Sequence, residues 1–151
     1  MSKKILLTGV TGYIGGRLLP MLLKEGHQLR CFTRHPETVS QKFNSLLNDY
    51  PNTFEIFEGD ALDRDSVYKA VSGMDAIIYL IHSMGSKENF QKQDRLAAEY
   101  FTEAADQNQV EKNIYLGGLI NENESLSPHL KSRLEVGDIF RKAETLRFMS
   151  N

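Results

Sequence analysis

Three glycines spaced three residues apart, Gly9, Gly12 and Gly15, stand where an apolar run ends and a helical pattern begins. The segment reads Leu6-Leu7-Thr8-Gly9-Val10-Thr11-Gly12-Tyr13-Ile14-Gly15-Gly16-Arg17-Leu18. Each position has a mechanical reason to lack a side chain. Gly9 lets a strand turn sharply, Gly12 lets backbone approach a pyrophosphate, and Gly15 lets the next helix pack closely on the sheet. The helix that follows aims its unpaired N–H groups and the positive end of its dipole at the same point. The expected chemistry is capture of a dinucleotide's phosphates. A purely structural turn is the alternative, since loops and hairpins also collect glycine.

The elements that must position this turn alternate between strand and helix. Apolar spacing predicts strands over residues 3–8, 28–33, 53–57, 76–81 and 113–116, and a sixth could begin at 145–148. Helices are predicted over 13–25 (closed by Gly26), 36–48, 63–71 with Asp63 as N-cap, 87–107, and from Ser127-Pro128 to about 142. Residues 76–81 are nearly all apolar, as a parallel strand buried on both faces should be. Pro20 breaks a local rule inside the first helix and predicts a kink or shift there. A repeated βαβ order demands a doubly wound parallel sheet in a three-layer α/β/α fold, one domain spanning 1–151.

Composition sets outer bounds. With 40% apolar and 25% charged residues the chain is an ordinary soluble globular domain. A net charge of −2, with no cluster of Lys and Arg, offers no field for nucleic acid. The longest apolar run, residues 76–81, is too short to span a bilayer, and no signal-peptide core follows Lys3-Lys4. No membrane partner and no metal site are expected. The single cysteine, Cys31, sits in a predicted strand, where it reads as buried filler rather than a redox thiol. A cytoplasmic, reducing location is the default expectation.

With these residues in hand, the chain resembles the atypical, extended-type short-chain dehydrogenase/reductase superfamily. Its nearest branch is similar to the NmrA-like and nucleoside-diphosphate-sugar-epimerase-like NAD(P)H-binding proteins, whose domain is the NAD(P)-binding Rossmann fold. The carriers are TGVTGYIGGRL at the start, Gly59-Asp60-Ala61-Leu62-Asp63, YLIHSMG from Tyr79 to Gly85, and YLGGL from Tyr115 to Leu119. The resemblance implies that Gly9, Thr11, Gly12, Tyr13, Ile14 and Gly15 line the pyrophosphate turn. It places Asp60 and Ala61 at the adenine, with Asp60 alternatively a turn residue or cap. Leu80, Ile81 and His82 pass beneath the nicotinamide ribose, although His82 reads equally as a strand-end histidine paired with backbone.

Cofactor choice follows from charge. NAD enzymes place an acid some 20 residues beyond the glycine turn to bind the ribose 2′-hydroxyl. Here the second strand ends Cys31-Phe32-Thr33-Arg34-His35, with no carboxylate. Arg34 can clamp a 2′-phosphate with its planar fork, so NADP(H) is favoured over NAD(H). Arg34 as a solvated charge, or paired with Glu37, is the alternative.

The chain also departs from the pattern. Catalytic members carry a Tyr-x-x-x-Lys pair after the fifth strand, and the matching positions here are His129 and Arg133. A histidine can serve as general acid near neutral pH, whereas an arginine keeps the charge but cannot give up a proton. The alternative is that both are exposed first-turn residues, or bind ligand without chemistry. The serine usual after the fifth strand is absent from Gly117-Gly118-Leu119-Ile120. The resemblance further implies a C-terminal substrate-binding segment, which the chain is expected to lack after its sixth helix, as a truncated form or with a partner subunit completing it; the bare sheet edge would favour self-association into a homo-oligomer. The expectation is an NAD(P)(H)-binding protein of epimerase, dehydratase or reductase ancestry without standard hydride-transfer residues. An active NADPH-dependent oxidoreductase or sugar-nucleotide epimerase, and an NmrA-like redox-sensing module, are the competing readings.

Overall fold

Alternation along the first two strands decides the layers. On β1 (Lys4–Thr8), Ile5 and Leu7 are buried on one face and Leu6 on the other. On β2 (Gln28–Thr33), Leu29 and Cys31 join the first set and Phe32 the second. A sheet apolar on both faces needs helices on both, as an all-parallel sheet does. The computed structural model describes residues 2–81, 90–117, 139 and 146–150. After β1 and β2 come β3 (Phe54–Glu58), β4 (Ala76–Tyr79), β5 (Lys112–Gly117) and β6 (Leu146–Ser150). All neighbours pair parallel in the order β3-β2-β1-β4-β5-β6.

One face is covered by α1 (Tyr13–Lys24), α2 (Pro36–Lys42) and α3 (Asn44–Asp49), which bring Leu19, Leu23 and Val39 against Ile5, Leu7, Leu29 and Cys31. The other is covered by α4 (Arg64–Val71) and α5 (Phe90–Gln107), whose Val67, Ala70, Val71, Ala98, Phe101 and Ala104 meet Leu6, Phe32, Ile77 and Tyr115. Ile139 packs on this second core, and the rest of the helix predicted over 127–142 lies outside the described residues. The expected doubly wound three-layer fold is what forms, and its sixth strand is present. Asp63 caps α4 as its sequence position required, accepting from the Asp65 N–H at 3.1 Å.

Two local expectations need correcting. The helix predicted over 36–48 is two helices, broken at Phe43 (φ −114°, ψ 29°). Leaving the helix lets the Phe43 ring bury against the first turn of α1, where a Cβ on Gly16 would stand 3.7 Å from its Cζ. Burial of a phenyl ring is worth about 1.5–3 kcal/mol, and the break keeps the Phe43 N–H to Val39 and Leu47 N–H to Phe43 hydrogen bonds. Secondly, β4 stops at Tyr79 rather than at 81, for a reason that belongs to the site below. Pro20 lies inside α1, which is a single element from Tyr13 to Lys24.

Buried polar groups are few. Cys31 is inaccessible, and burial pushes its thiol up to about 12, so it is the inert filler the sequence suggested. Asn113 on β5 is fully buried, and neither amide atom has a partner among the described residues. At the β3 edge Glu55 and Glu58 are exposed, charges of the kind that discourage strand addition.

Candidate functional site

In a sheet of this order the strand sequence reverses between β1 and β4. Ligands bind open α/β sheets at the carboxyl ends of the strands beside such a reversal. Here the opening is built by Thr8. Backbone pairing of β1 with β4 runs from Ile5↔Ala76 to Leu7↔Ile78 and then ceases. The buried Thr8 hydroxyl takes the next rung, donating to the Ile78 carbonyl (3.2 Å) and accepting from the Leu80 N–H (2.9 Å). Beyond that rung the two strands diverge, which is why β4 ends early. Thr8→Val keeps the shape but orphans both backbone groups, a loss of about 1–3 kcal/mol. The expected result is a lower melting temperature and weaker nucleotide binding, both recovered by Thr8→Ser. A valine variant that melts and titrates like the unaltered chain would show that the hydroxyl does not hold the crevice.

The glycine turn closes over this opening. Gly9 has φ +74°, and a Cβ there would lie 2.8 Å from the Leu80 carbonyl. Gly12 donates to the Gly9 carbonyl at 3.1 Å and opens α1. At Gly15 a Cβ would meet the Gly9 carbonyl oxygen at 2.2 Å, so the helix touches the turn backbone to backbone. Gly12 supplies no side-chain cap and no acid stands in the first turn of α1, which leaves the amides of the turn to an outside anion. Tyr13 (75% exposed) and Ile14 (43%) face outward at the same helix end, and the Arg17 guanidinium lies 4.3 Å from the centre of the Tyr13 ring.

Several residues singled out from the sequence follow the carboxyl ends of the parallel strands. Asp60 follows β3, where its Oδ1 accepts from the Leu62 N–H (2.9 Å) and its own N–H donates to Ser66 Oγ (2.9 Å). The turn role is thus formed, and the second carboxylate oxygen has no partner among the described residues. Ala61 is half-buried on the α4–α5 core, and Leu62 is exposed beside it. Leu80 lies against Gly9, while Ile81 turns to the α4–α5 core. Arg34 is exposed just past β2 and makes no ion pair among the described residues, so the alternative pairing with Glu37 is not formed. His82, His129 and Arg133 lie outside the described residues.

One residue that sequence reasoning missed belongs here. Lys42 Nζ donates to the Thr11 carbonyl at 3.4 Å, on the flank of the glycine turn. As the middle of one long helix it reads as a solvated charge, and its spacing does not announce this contact. A different recess, of about 230 Å³, lies at the opposite strand ends and includes Lys4, Arg30, Phe54 and Ser72. Its Arg30 is spent on Glu55 and on the carbonyls of Ala70 and Ser72.

Tyr79, at the carboxyl end of β4, is the buried tyrosine nearest the opening. Burial, with the Asp94 carboxylate and Tyr115 adding to it, raises its hydroxyl well above the usual range. That is the opposite of what a proton-transferring tyrosine needs. Among the described residues no helix is long and apolar enough to cross a membrane, and no group of three His, Cys, Asp or Glu side chains could hold a metal ion.

Comparison with known proteins agrees with this geometry. A family described as NAD(P)H-binding matches residues 9–145. Among solved structures, the UDP-Glc/GlcNAc 4-epimerase of Campylobacter jejuni superposes with a TM-score of 0.79 at 21% identity, covering 98% of this chain and 52% of that one. The triphenylmethane reductase of Citrobacter sp., solved with NADP(H), gives 0.75 at 22% identity over 98% of this chain and 49% of that one. A 3 beta-hydroxysteroid dehydrogenase/Delta 5→4-isomerase of Mycobacterium tuberculosis is 36% identical over 85 residues, 54% of this chain. The chain spans about half of each solved protein and a fifth of the steroid dehydrogenase. At such identities the solved structures establish the shared fold.

Proposed function

Because the chain belongs to the NAD(P)H-binding family, a short-chain dehydrogenase/reductase-like group of Rossmann proteins, we propose that it binds NADP(H) in preference to NAD(H). The observation that carries this reading is Arg34: an exposed guanidinium just past β2, without an ion pair among the described residues. A 2′-phosphate at the adenosine ribose is the partner such a fork fits bidentately. The glycine turn supports the rest of the cofactor reading: a Cβ at Gly9 would strike the Leu80 carbonyl and one at Gly15 the Gly9 carbonyl, so only glycine keeps this turn and the start of α1 in place. Tyr13 and Ile14 would hold the diphosphate through their amides, with Gly12 keeping the turn free of a side chain, Asp60 and Ala61 would hold the adenine, and Leu80 and Ile81 the nicotinamide ribose. When bound, the nicotinamide ring supplies a hydride donor or acceptor.

In this reading the chain is the cofactor-holding portion of a protein of epimerase, dehydratase or reductase ancestry. Thermal unfolding with each nucleotide tests it. A ligand at a hundred times its dissociation constant adds about 2.7 kcal/mol to stability. At equal concentrations NADPH is expected to raise the melting temperature more than NADH. Equal shifts would remove the preference, and no shift with either would remove the site.

A further inference from the structure

We propose that Lys42 is a phosphate-binding cation of the dinucleotide site, an inference that rests on the glycine turn holding that nucleotide. Lys42 ends α2, and its ammonium runs back beside the Phe43 ring, 5.4 Å from the centroid. It reaches the Thr11 carbonyl at 3.4 Å and comes within 3.8 Å of the Cβ position of Gly16, in the first turn of α1.

Lys42 is exposed to solvent there, so its ammonium is open to an arriving anion. The start of a helix is the positive end of its dipole, and a neighbouring ammonium is repelled there. No acid stands in the first turn of α1, Gly12 offers no side-chain acceptor, and no carboxylate among the described residues pairs with Lys42. One carbonyl at a long hydrogen-bond distance engages one of its three protons. An arriving phosphate relieves both positive charges together and meets donors that are already in place. The dinucleotide carries a diphosphate bridge and, in NADP(H), a 2′-phosphate; a lysine serves either as a point charge.

The test compares Lys42→Gln and the charge-retaining Lys42→Arg with the unaltered chain. Dissociation constants for NADPH and NADH are measured by direct titration at low and high salt. Lys69→Gln, on the exposed side of α4, is the control for lost surface charge. Lys42→Gln is expected to weaken NADPH about tenfold or more at low salt and less at high salt, with arginine recovering most of the loss. Loss with NADPH alone supports the proposal and assigns Lys42 to the 2′-phosphate; loss with both nucleotides supports it and assigns the diphosphate. A glutamine variant that binds both nucleotides like the Lys69→Gln control overturns it. An unaltered chain that binds neither nucleotide overturns the dinucleotide reading together with this one. Equal wild-type affinities overturn only the NADP(H) preference and leave the lysine comparison decisive.

Discussion

Gly15→Ala is expected to abolish most nucleotide binding and to lower the melting temperature by roughly 5–10 °C. The new methyl carbon would sit 2.2 Å from the Gly9 carbonyl oxygen, 2.8 Å from its carbon and 2.9 Å from Val10 Cα. All three are backbone atoms, so no side chain can swing aside. Relief requires α1 to lift from the sheet, and that loosens the buried Leu19 and Leu23 and shifts the amides proposed to hold the diphosphate. Overpacking of this kind costs about 1–3 kcal/mol, and a displaced amide cradle costs affinity as well. The neighbouring Gly16→Ala is the internal control. Its Cβ would meet the Val10 carbonyl at 3.3 Å and the Phe43 ring at 3.7 Å, contacts that small shifts absorb. Paired melting curves and NADPH titrations of the two variants decide the matter, and equal behaviour would refute the backbone-contact argument.

Arg34→Glu is expected to weaken NADPH about a hundredfold while leaving NADH within roughly threefold of the unaltered chain. Losing a charge-assisted fork costs about 1.5–3 kcal/mol, and the introduced carboxylate adds repulsion against a dianion. Against NADH the same carboxylate faces a ribose hydroxyl, which it can accept from. Arg34 is exposed, so folding should be unchanged and the effect should shrink as salt rises. Parallel titrations with both nucleotides measure the split; equal losses for the two would sink the 2′-phosphate reading.

Much of this fold was legible because its signals are local or periodic. Residues 28–33 form β2 with the bounds their pattern predicts, and Asp63 caps α4 because an aspartate ahead of a helical run has a chemical reason to do so. What escaped was decided across the fold. Nothing in residues 36–48 announces that Phe43 will leave its helix to bury against α1, so neither the break nor the arrival of Lys42 at Thr11 could be read. The end of β4 escaped for a similar reason. Leu80 and Ile81 are apolar enough to extend a strand, but the Thr8 hydroxyl claims the Leu80 N–H first. At the glycine turn sequence and structure coincide, because Gly9 and Gly15 are required by backbone geometry itself.

The sealed thiol of Cys31 has a practical sequel. Hidden beneath α1 and hard to ionise, it should ignore maleimide and iodoacetamide while the protein stays folded. A cysteine introduced at an outward position such as Met21 (62% exposed) would then be the one handle a dye can reach. The chain thus arrives prepared for fluorescent labelling at a chosen point, with no need to remove its native sulfhydryl first.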